Sequence, residues 1–146
     1  MKLSLLTLAL CAAPMFAADP LAVFYDGELK GAEKVVTSLA TAMPANKYDF
    51  APTNGSFTGV RTFGQQVRHL ATVMYLVSAA ALNQKPPVDT GADDNGPDSV
   101  RTKEQVLAYL KGAFAFAHKS IATASAGLST RPNRDRGGAS EPGPRS

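Results

Sequence analysis

Cysteine is nearly absent from this chain of 146 residues, since Cys11 near the N-terminus is the only one. The chain beyond Cys11 therefore has no disulfide framework, no thiolate nucleophile and no cysteine-based zinc site. The C-x-x-C-H run that would attach a c-type haem covalently is also missing. Histidine is almost as rare, because His69 and His118 are the only two. Sulfur chemistry is thus excluded, and imidazole chemistry is limited to two side chains.

Charged residues and known catalytic motifs are scarce as well. Charged residues make up 18% of the chain, and the net charge of +3 comes from Lys and Arg residues that are scattered rather than clustered. Nucleic-acid binding usually requires a concentrated basic face, so we predict no nucleic-acid partner. The sequence contains no G-x-S-x-G elbow, P-loop or H-E-x-x-H pair. With 45% hydrophobic residues, the composition is that of one globular domain.

Residues 1–18 have the pattern of a signal peptide. A positively charged start is followed by the mostly apolar run Leu3–Leu10 and then by small residues. An apolar core of this length suits the export machinery and is too short to span a bilayer stably. We therefore expect cleavage after Ala17 or Ala18, a periplasmic or secreted protein, and no stable membrane span after signal removal. A lipoprotein anchored through Cys11 and a retained N-terminal anchor are the less favoured alternatives.

The first amphipathic helix is predicted to begin at Asp19-Pro20. Aspartate is a favourable N-cap, and proline fits the first helical turn. Apolar residues then recur at spacings of three and four, which places them on one face of a helix. They are Tyr25, Leu29, Ala32, Val36, Leu39 and Met43. Pro44 ends this helix.

A connector with turn-forming residues spans residues 47–59. Within it, Tyr48 and Phe50 alternate with polar neighbours. We expect two aromatic plugs that cover one end of a helical bundle, and a short strand is the alternative.

Two further helices follow. The second is predicted from about Thr62 to Leu82, and we expect it to bury a regular apolar stripe. That stripe is Phe63, Val67, Leu70, Met74, Val77 and Ala81. The third begins with Thr102 as N-cap, runs to about Ala126 and stops at Gly127. Its buried face is predicted to be Leu107, Leu110, Phe114, Ala117 and Ile121.

The segments around the third helix are polar. Residues 83–99 form a long loop with four aspartates, but these lack the ordered spacing and closing glutamate of a calcium loop, so we favour a solvated loop. Residues 129–146 contain no large apolar side chain and are rich in Arg, Pro, Gly and Ser. Such a stretch buries too little surface to offset its ordering entropy, so we predict a disordered C-terminal tail.

Both histidines lie on predicted helices. His69 is off the main apolar stripe and shares a flank of helix two with Val73, Leu76 and Ala80. His118 shares a flank of helix three with Phe114 and Ile121. On spacing alone, a single partly buried histidine with a hydrogen-bond partner is the favoured interpretation of His69, and a packed or semi-exposed core histidine is that of His118. A catalytic metal usually has three protein ligands, and two imidazoles do not supply them.

Three segments together resemble the DinB-like (damage-inducible) superfamily. They are Met43-Pro44 at the end of helix one, Tyr48-Asp49-Phe50 before Pro52, and Gln65-x-x-x-His69 on helix two. The run Asn83-Gln84-Lys85-Pro86-Pro87 is similar to exported members. The resemblance covers residues 21–126. It implies an all-α, four-helix up-down bundle, of which this chain shows only three helices clearly.

The resemblance also implies a divalent metal, zinc or nickel, held by three histidines. His69 matches the first of them, on helix two. The other two belong to an H-x-x-x-H-type motif on the fourth helix, and no histidine of this chain matches them. We therefore expect an incomplete DinB-like domain over residues 19–128, truncated before the fourth helix, that binds metal weakly or not at all.

Three functional hypotheses follow. The first is an exported DinB-like protein with an incomplete metal site and little catalysis of its own. The second is a metal-dependent hydrolase or transferase completed by oligomerisation. The third is a non-enzymatic helical binding module. Three helices of a four-helix bundle leave an apolar groove uncovered, and a homodimer through that groove is one way to cover it.

Overall fold

The computed structural model describes residues 19–53, 57 and 59–129. The predicted signal peptide and all but the first residue of the predicted tail lie outside the described residues. Three α-helices account for most of the described chain: α1 (Pro20–Ala42), α2 (Phe63–Ala81) and α3 (Lys103–Ser129). The described residues contain no strand, so the predicted all-α class is confirmed. None of the described helices is both long and apolar enough to cross a bilayer.

Helix α1 begins and ends where its capping residues predict. The Asp19 carboxylate accepts a hydrogen bond from the backbone N–H of Leu21 at 3.0 Å, which satisfies one of the free N–H groups of the first turn. At the other end, Met43 is extended, with a ψ of 124°. The residue before a proline is disfavoured in the helical region. Met43 is therefore the C-cap, and α1 ends at Ala42.

Of the two aromatic residues predicted to cover the end of the bundle, only one does so. Tyr48 is buried, and its hydroxyl donates to the carbonyl of Ala40 at 2.6 Å. Its ring also packs edge-on against Phe63. Phe50, in contrast, is 56% exposed. Residues 45–47 form a short 3-10 turn that aims Tyr48 at α1, and the chain beyond it carries Phe50 away from the bundle.

Helix α2 has the predicted bounds but buries a face that matches the predicted stripe only in part. Thr62 and Gln65 form a reciprocal capping box at its start. Its buried apolar residues are Val67, Ala71, Tyr75 and Ala79. Of the predicted stripe, Val67 is thus buried and Phe63 and Met74 pack against the core, whereas Leu70 and Val77 are exposed by 36% and 63%. The helix is apolar over a wide arc, and its contact with α3 buries a face that is rotated from the one that the periodicity predicts.

Helix α3 is longer than predicted. Thr102 and Gln105 cap its start through hydrogen bonds of 2.9 and 3.3 Å between side chain and backbone. Leu110, Phe114 and Ala117 of its predicted face are buried. Gly127 does not end the helix, which continues to Ser129. A glycine stop requires a left-handed backbone conformation, and Gly127 does not adopt one.

The connections between elements give the helix directions. Lys103 at the start of α3 donates to the carbonyls of Thr41 and Met43 at the end of α1, so α1 and α3 are antiparallel. Helices α2 and α3 run in the same direction, because Thr72 in the middle of α2 contacts Tyr109 in the first third of α3, and Ser78 and Ser120, further along both helices, line one cavity. The loop over residues 82–102 must therefore return along the length of α2. Consecutive helices of an up-down bundle alternate in direction, so the predicted up-down order is wrong for this pair.

The core lies between α2 and α3, with α1 packed on one side of α3. Val106, Leu110, Ala113 and Phe114 of α3 are almost completely buried there. Gly112 also faces this core: a Cβ at this position would lie 2.3 Å from the Tyr75 hydroxyl oxygen. A side chain on residue 112 would thus push Tyr75, and with it α2, away from α3. Helix α1 contributes only Ala40 to the fully buried set.

Candidate functional site

The loop over residues 82–102 is held against α2 by the buried Arg68. Its Nε donates to the carbonyl of Asn95 at 2.5 Å, and its Nη1 donates to the carbonyl of Val100 at 2.9 Å. Arg68 is only 9% exposed, so these carbonyls replace the water that the guanidinium loses. A single side chain of α2 therefore fixes two separated points of the loop.

Arg61 and Gly96 hold the same part of the loop. The Arg61 guanidinium donates to Asn95 at 2.6 Å and to Asp94 at 3.0 Å. Gly96 has a φ of +81°, and a Cβ there would lie 2.6 Å from the Thr72 hydroxyl. Only glycine combines this left-handed backbone with so close an approach to α2. The loop is thus built to lie on the helix.

Two polar arrangements complete the packing of the loop. The Tyr109 hydroxyl lies 3.0 Å from the hydroxyl of Thr72 and 3.4 Å from the carbonyl of Asp89, and burial raises the pKa of Tyr109. The Asp93 carboxylate accepts from the backbone and the side chain of Asn95, which lowers the pKa of Asp93. The Asp93 carboxylate therefore stabilises a turn of this loop.

His69 meets this loop at its edge. Its Nδ1 lies 2.6 Å from the carbonyl oxygen of Asp94. A carbonyl oxygen only accepts, so Nδ1 carries the proton and Nε2 bears the lone pair of the neutral ring. This arrangement, a backbone carbonyl orienting the imidazole, is the one found behind many metal-bound histidines. In the neutral ring, Nε2 is therefore the nitrogen that is available to a ligand.

The residues around His69 do not fit a three-ligand metal site. The nearest carboxylate, that of Asp94, lies 3.5 Å from Nδ1 and is paired with Arg61 at 3.0 Å. It stands on the protonated side of the ring and cannot share an ion with Nε2. Across the described part of the chain, no group of three His, Cys, Asp or Glu side chains could hold a metal ion.

His118 belongs to a separate cluster between α1 and α3. Its Nδ1 lies 2.5 Å from Asp26 and its Nε2 lies 3.2 Å from Glu33. Lys30 joins the cluster through an ion pair of 2.7 Å with Asp26. Hydrogen bonds from Lys30 and His118 hold the pKa of the Asp26 carboxyl below its usual value of 3.8. His118 thus ties α1 to α3 with both ring nitrogens, and the structure does not bring it together with His69.

This cluster predicts a specific acid sensitivity. A carboxylate whose folded pKa is lowered stabilises the fold above its unfolded pKa, and the contribution is lost as pH falls through the folded pKa. We expect Asp26→Asn to lower the urea midpoint at pH 6 and to flatten the loss of stability below about pH 4. Urea unfolding followed by circular dichroism across pH 2–7 measures both.

Two further variants test the assignment to the cluster. Asp49→Asn, at an exposed carboxylate of the connector, is the matched control and should leave the acid limb unchanged. In a His118→Gln background, the effect of Asp26→Asn should shrink, because the two side chains act as a pair. Full additivity of the two substitutions would contradict the cluster.

An apolar groove opens between α1 and α2, with α3 as its floor. Its larger cavity has a volume of about 390 Å³. The side chains that line it are Leu29, Leu70, Val73, Met74, Val77, Ser78, Ala81, Ala117, Ser120 and Ile121. A smaller cavity of about 240 Å³ lies between the start of α1 and the end of α3, and both cavities include Ile121. Leu70 and Val77, two of the apolar side chains that α2 leaves exposed, therefore border this groove.

Three long helices around a shared core, with one long side open, define a helical bundle of the four-helix type. The chain belongs to the DinB superfamily, since the model of this family matches residues 28–145. The match begins within α1 and continues into residues beyond α3 that the structure does not describe. No curated protein and no solved structure is detectably similar to the chain. Membership of the family is thereby shown, and this membership does not identify a particular activity.

Sequence reasoning found His69 but missed the residues that surround both histidines. Arg68 could have been noticed as a charged residue inside an otherwise apolar helical stretch. Asp26 and Glu33 lie seven residues apart on α1 and thus share a face. That spacing gives no hint of His118, which is 92 residues from Asp26 in the chain.

Proposed function

We propose that this chain is an exported DinB-type helical protein with an incomplete metal site at His69 and little catalytic activity of its own. One observation carries the proposal: the carboxylate nearest to His69 lies on the Nδ1 side of the ring and is engaged by Arg61. Among the described residues, no group of three His, Cys, Asp or Glu side chains is placed to hold an ion. A lone imidazole holds a divalent ion weakly compared with a three-ligand site.

The rest of the described chain supports this proposal. His118 is engaged on both ring nitrogens by carboxylates of α1, so recruiting it would cost the contact between α1 and α3. The segment that the family match includes beyond α3, residues 130–145, contains no histidine. It offers Asp135 and Glu141 as its only acidic side chains. These features support the proposal that the family's histidine-based site is incomplete in this chain.

Metal titration of the purified protein tests the proposal. We expect Zn²⁺ and Ni²⁺ to bind with dissociation constants weaker than about 10 µM, as a lone imidazole ligand implies. Isothermal titration calorimetry measures this for the wild type, for His69→Ala and for His118→Ala as the matched histidine control. The protein is purified after expression with its own N-terminus, and its intact mass shows whether residues 1–17 or 1–18 have been removed.

Two results would overturn the proposal. Stoichiometric binding at sub-micromolar affinity that disappears in His69→Ala, but not in His118→Ala, would establish a complete site. If that binding accompanied an oligomer and a chelator-sensitive hydrolase or transferase activity, the metal-dependent enzyme completed by oligomerisation would replace the first hypothesis. An unprocessed mass would contradict export by signal cleavage.

The apolar groove favours a non-enzymatic binding function as the second candidate. Its walls present apolar side chains, and Val77 on one of them is 63% exposed. Exposed contiguous apolar surface usually marks an interaction site. This candidate predicts that capture of an apolar ligand, measured with a fluorescent probe such as ANS, is unchanged in His69→Ala.

A further inference from the structure

His118 lies where α1 meets α3 and has a carboxylate at each of its ring nitrogens. Its Nδ1 lies 2.5 Å from Asp26, and its Nε2 lies 3.2 Å from Glu33. We call these three residues the His118 bridge. A neutral imidazole has a proton on one nitrogen and a lone pair on the other, so it can donate to only one of the two carboxylates. Both hydrogen bonds together therefore require the protonated, positively charged ring.

The charged groups that face His118 come from α1. Lys30 joins the bridge through an ion pair of 2.7 Å with Asp26. With the protonated ring, the bridge and Lys30 together carry two positive and two negative charges. Loss of one ring proton removes a hydrogen bond and turns a lone pair towards a carboxylate, so the bridge then loses a contact and gains a repulsion. The remaining charged residues of α1 are exposed: Glu28 and Lys34.

The other two helices bring no further carboxylate to the bridge. Helix α2 has none, and its two charged side chains, Arg68 and His69, contact the loop that follows this helix. The only carboxylate of α3 lies in its first turn, and the two lysines nearest to His118 in the chain, Lys111 and Lys119, are exposed. Among the side chains of this contact, histidine is the type that titrates near neutral pH. Raising the pH above neutrality therefore acts on the bridge through His118.

The two halves of α1 are held by different contacts. In the C-terminal half, Ala40 is buried and its carbonyl accepts from the Tyr48 hydroxyl at 2.6 Å, and Lys103 donates to two carbonyls at the end of the helix. The N-terminal half, residues 20–33, has no fully buried residue, and Leu29 is its one apolar side chain that packs against the core. The bridge therefore holds the half that apolar packing holds least.

Two glycines weaken the same half of the helix. Gly27 and Gly31 lie in its interior, where glycine is less favourable than every residue except proline. A Cβ at either position would meet nothing within 4 Å, so packing within the described chain does not require these glycines. The N-terminal half of α1 thus has little helical stability of its own, and its position on α3 depends strongly on the bridge.

This half of α1 also forms one wall of the apolar groove. Leu29 lines the larger cavity, and Leu21 and Tyr25 line the smaller one. Ile121 of α3 lines both cavities. Movement of the N-terminal half of α1 away from α3 would therefore remove that wall and expose Ile121.

We propose that the His118 bridge is a pH-sensitive contact: the protonated ring holds residues 20–33 of α1 against α3, and loss of one ring proton above neutral pH releases this segment and opens the apolar groove on its α1 side. The C-terminal half of α1 stays in place, because its contacts include no group that titrates near neutral pH. The release does not depend on a metal at His69, so it stands or falls separately from the incomplete metal site.

Amide hydrogen exchange of the full chain tests the release. We expect the protection factors of residues 23–33, corrected for the pH dependence of intrinsic exchange, to fall about tenfold between about pH 6 and about pH 9. A charge-assisted hydrogen bond contributes a factor of this order, and histidine titrates within this range. The protection factors of residues 106–114 in the core of α3 should stay unchanged.

Variants of the two histidines assign the effect. His118→Gln cannot become charged, so residues 23–33 should be weakly protected at both pH values. His69→Gln is the matched control, since it removes the other histidine of the chain and should keep the wild-type pH dependence. The proposal would be overturned by protection of residues 23–33 that does not change with pH in the wild type, by wild-type behaviour of His118→Gln, or by an equal fall in all three helices.

Nitrogen-15 NMR of the imidazole rings reads the bridge directly in the wild-type protein. The chain has only two histidines, so the spectrum of His69→Gln assigns the resonances of His118. We expect a charged His118 ring at about pH 6, and loss of α1 protection that follows its titration. A neutral His118 ring at a pH where residues 23–33 are still protected would contradict the bridge.

Nile red, an uncharged apolar dye, tests whether the groove opens. We expect its emission in the presence of the wild-type protein to be higher at about pH 9 than at about pH 6, and to be high at both pH values with His118→Gln. Release of residues 23–33 without any change in dye emission would show that the groove does not open.

Discussion

Replacing Arg68 with methionine is expected to lower the free energy of unfolding by about 2–4 kcal/mol, because several buried carbonyls lose a charged donor at once. Methionine keeps much of the apolar stem but cannot donate to the carbonyls of Asn95 and Val100, which Arg68 contacts at 2.5 and 2.9 Å. Those carbonyls would be left without their donor, or the loop would move to reach water. Urea unfolding followed by circular dichroism measures the loss.

The same substitution should loosen the loop selectively. Amide hydrogen exchange should speed up over residues 83–102 more than in the centre of α3, because Arg68 joins that loop to α2 at two points. Arg101→Met is the control, since Arg101 is exposed and its Nε donates only locally, to the carbonyl of Asp98 at 2.6 Å. A wild-type free energy of unfolding in Arg68→Met, or exchange that rises equally everywhere, would refute the role given to Arg68.

Replacing Phe114 with alanine is expected to cost about 3–5 kcal/mol, the usual range for deleting a buried aromatic side chain. Phe114 is 1% exposed and is among the largest fully buried side chains of the described chain. Small domains are stable by about 5–15 kcal/mol, so this change should remove a substantial part of the free energy of unfolding. The measurement is the urea midpoint, together with the temperature of half unfolding.

The control for Phe114→Ala removes the same side chain from an exposed place. Phe50 is 56% exposed, and Phe50→Ala should change the free energy of unfolding by about 0.5 kcal/mol or less, as surface substitutions do. Comparable losses in the two variants would show that the core is not centred on α3.

Much of the fold follows from local sequence. The helices start within one or two residues of the positions predicted from Asp19, Thr62 and Thr102. Helix starts are predictable because capping joins groups only two to four positions apart. Gly127 is the exception, because glycine permits a left-handed turn without requiring one. The family motif on helix two located His69 correctly on α2.

The buried face of α3 largely followed from sequence, since Leu110, Phe114 and Ala117 are buried as predicted. The buried faces of α1 and α2 followed only in part: Tyr25 and Leu39 of the predicted α1 stripe are 59% and 60% exposed. Helix α1 and helix α2 are each apolar over more than one face, so periodicity alone could not say which face meets α3. The structure buries Ala71 and Tyr75 and exposes Leu70 and Val77. That selection depends on the direction of α3 relative to α2, which the long returning loop makes parallel.

By itself, the sequence determined the helical class, the helix starts, the scarcity of cysteine and histidine and the family motif around His69. These properties depend on composition or on residues a few positions apart. The tertiary structure alone decided that His118 is engaged by Asp26 and Glu33, that Arg68 anchors the loop, and that Leu39 and Val77 are exposed. These contacts join residues 27 to 92 positions apart, or depend on which face packing leaves open, and no local rule specifies either.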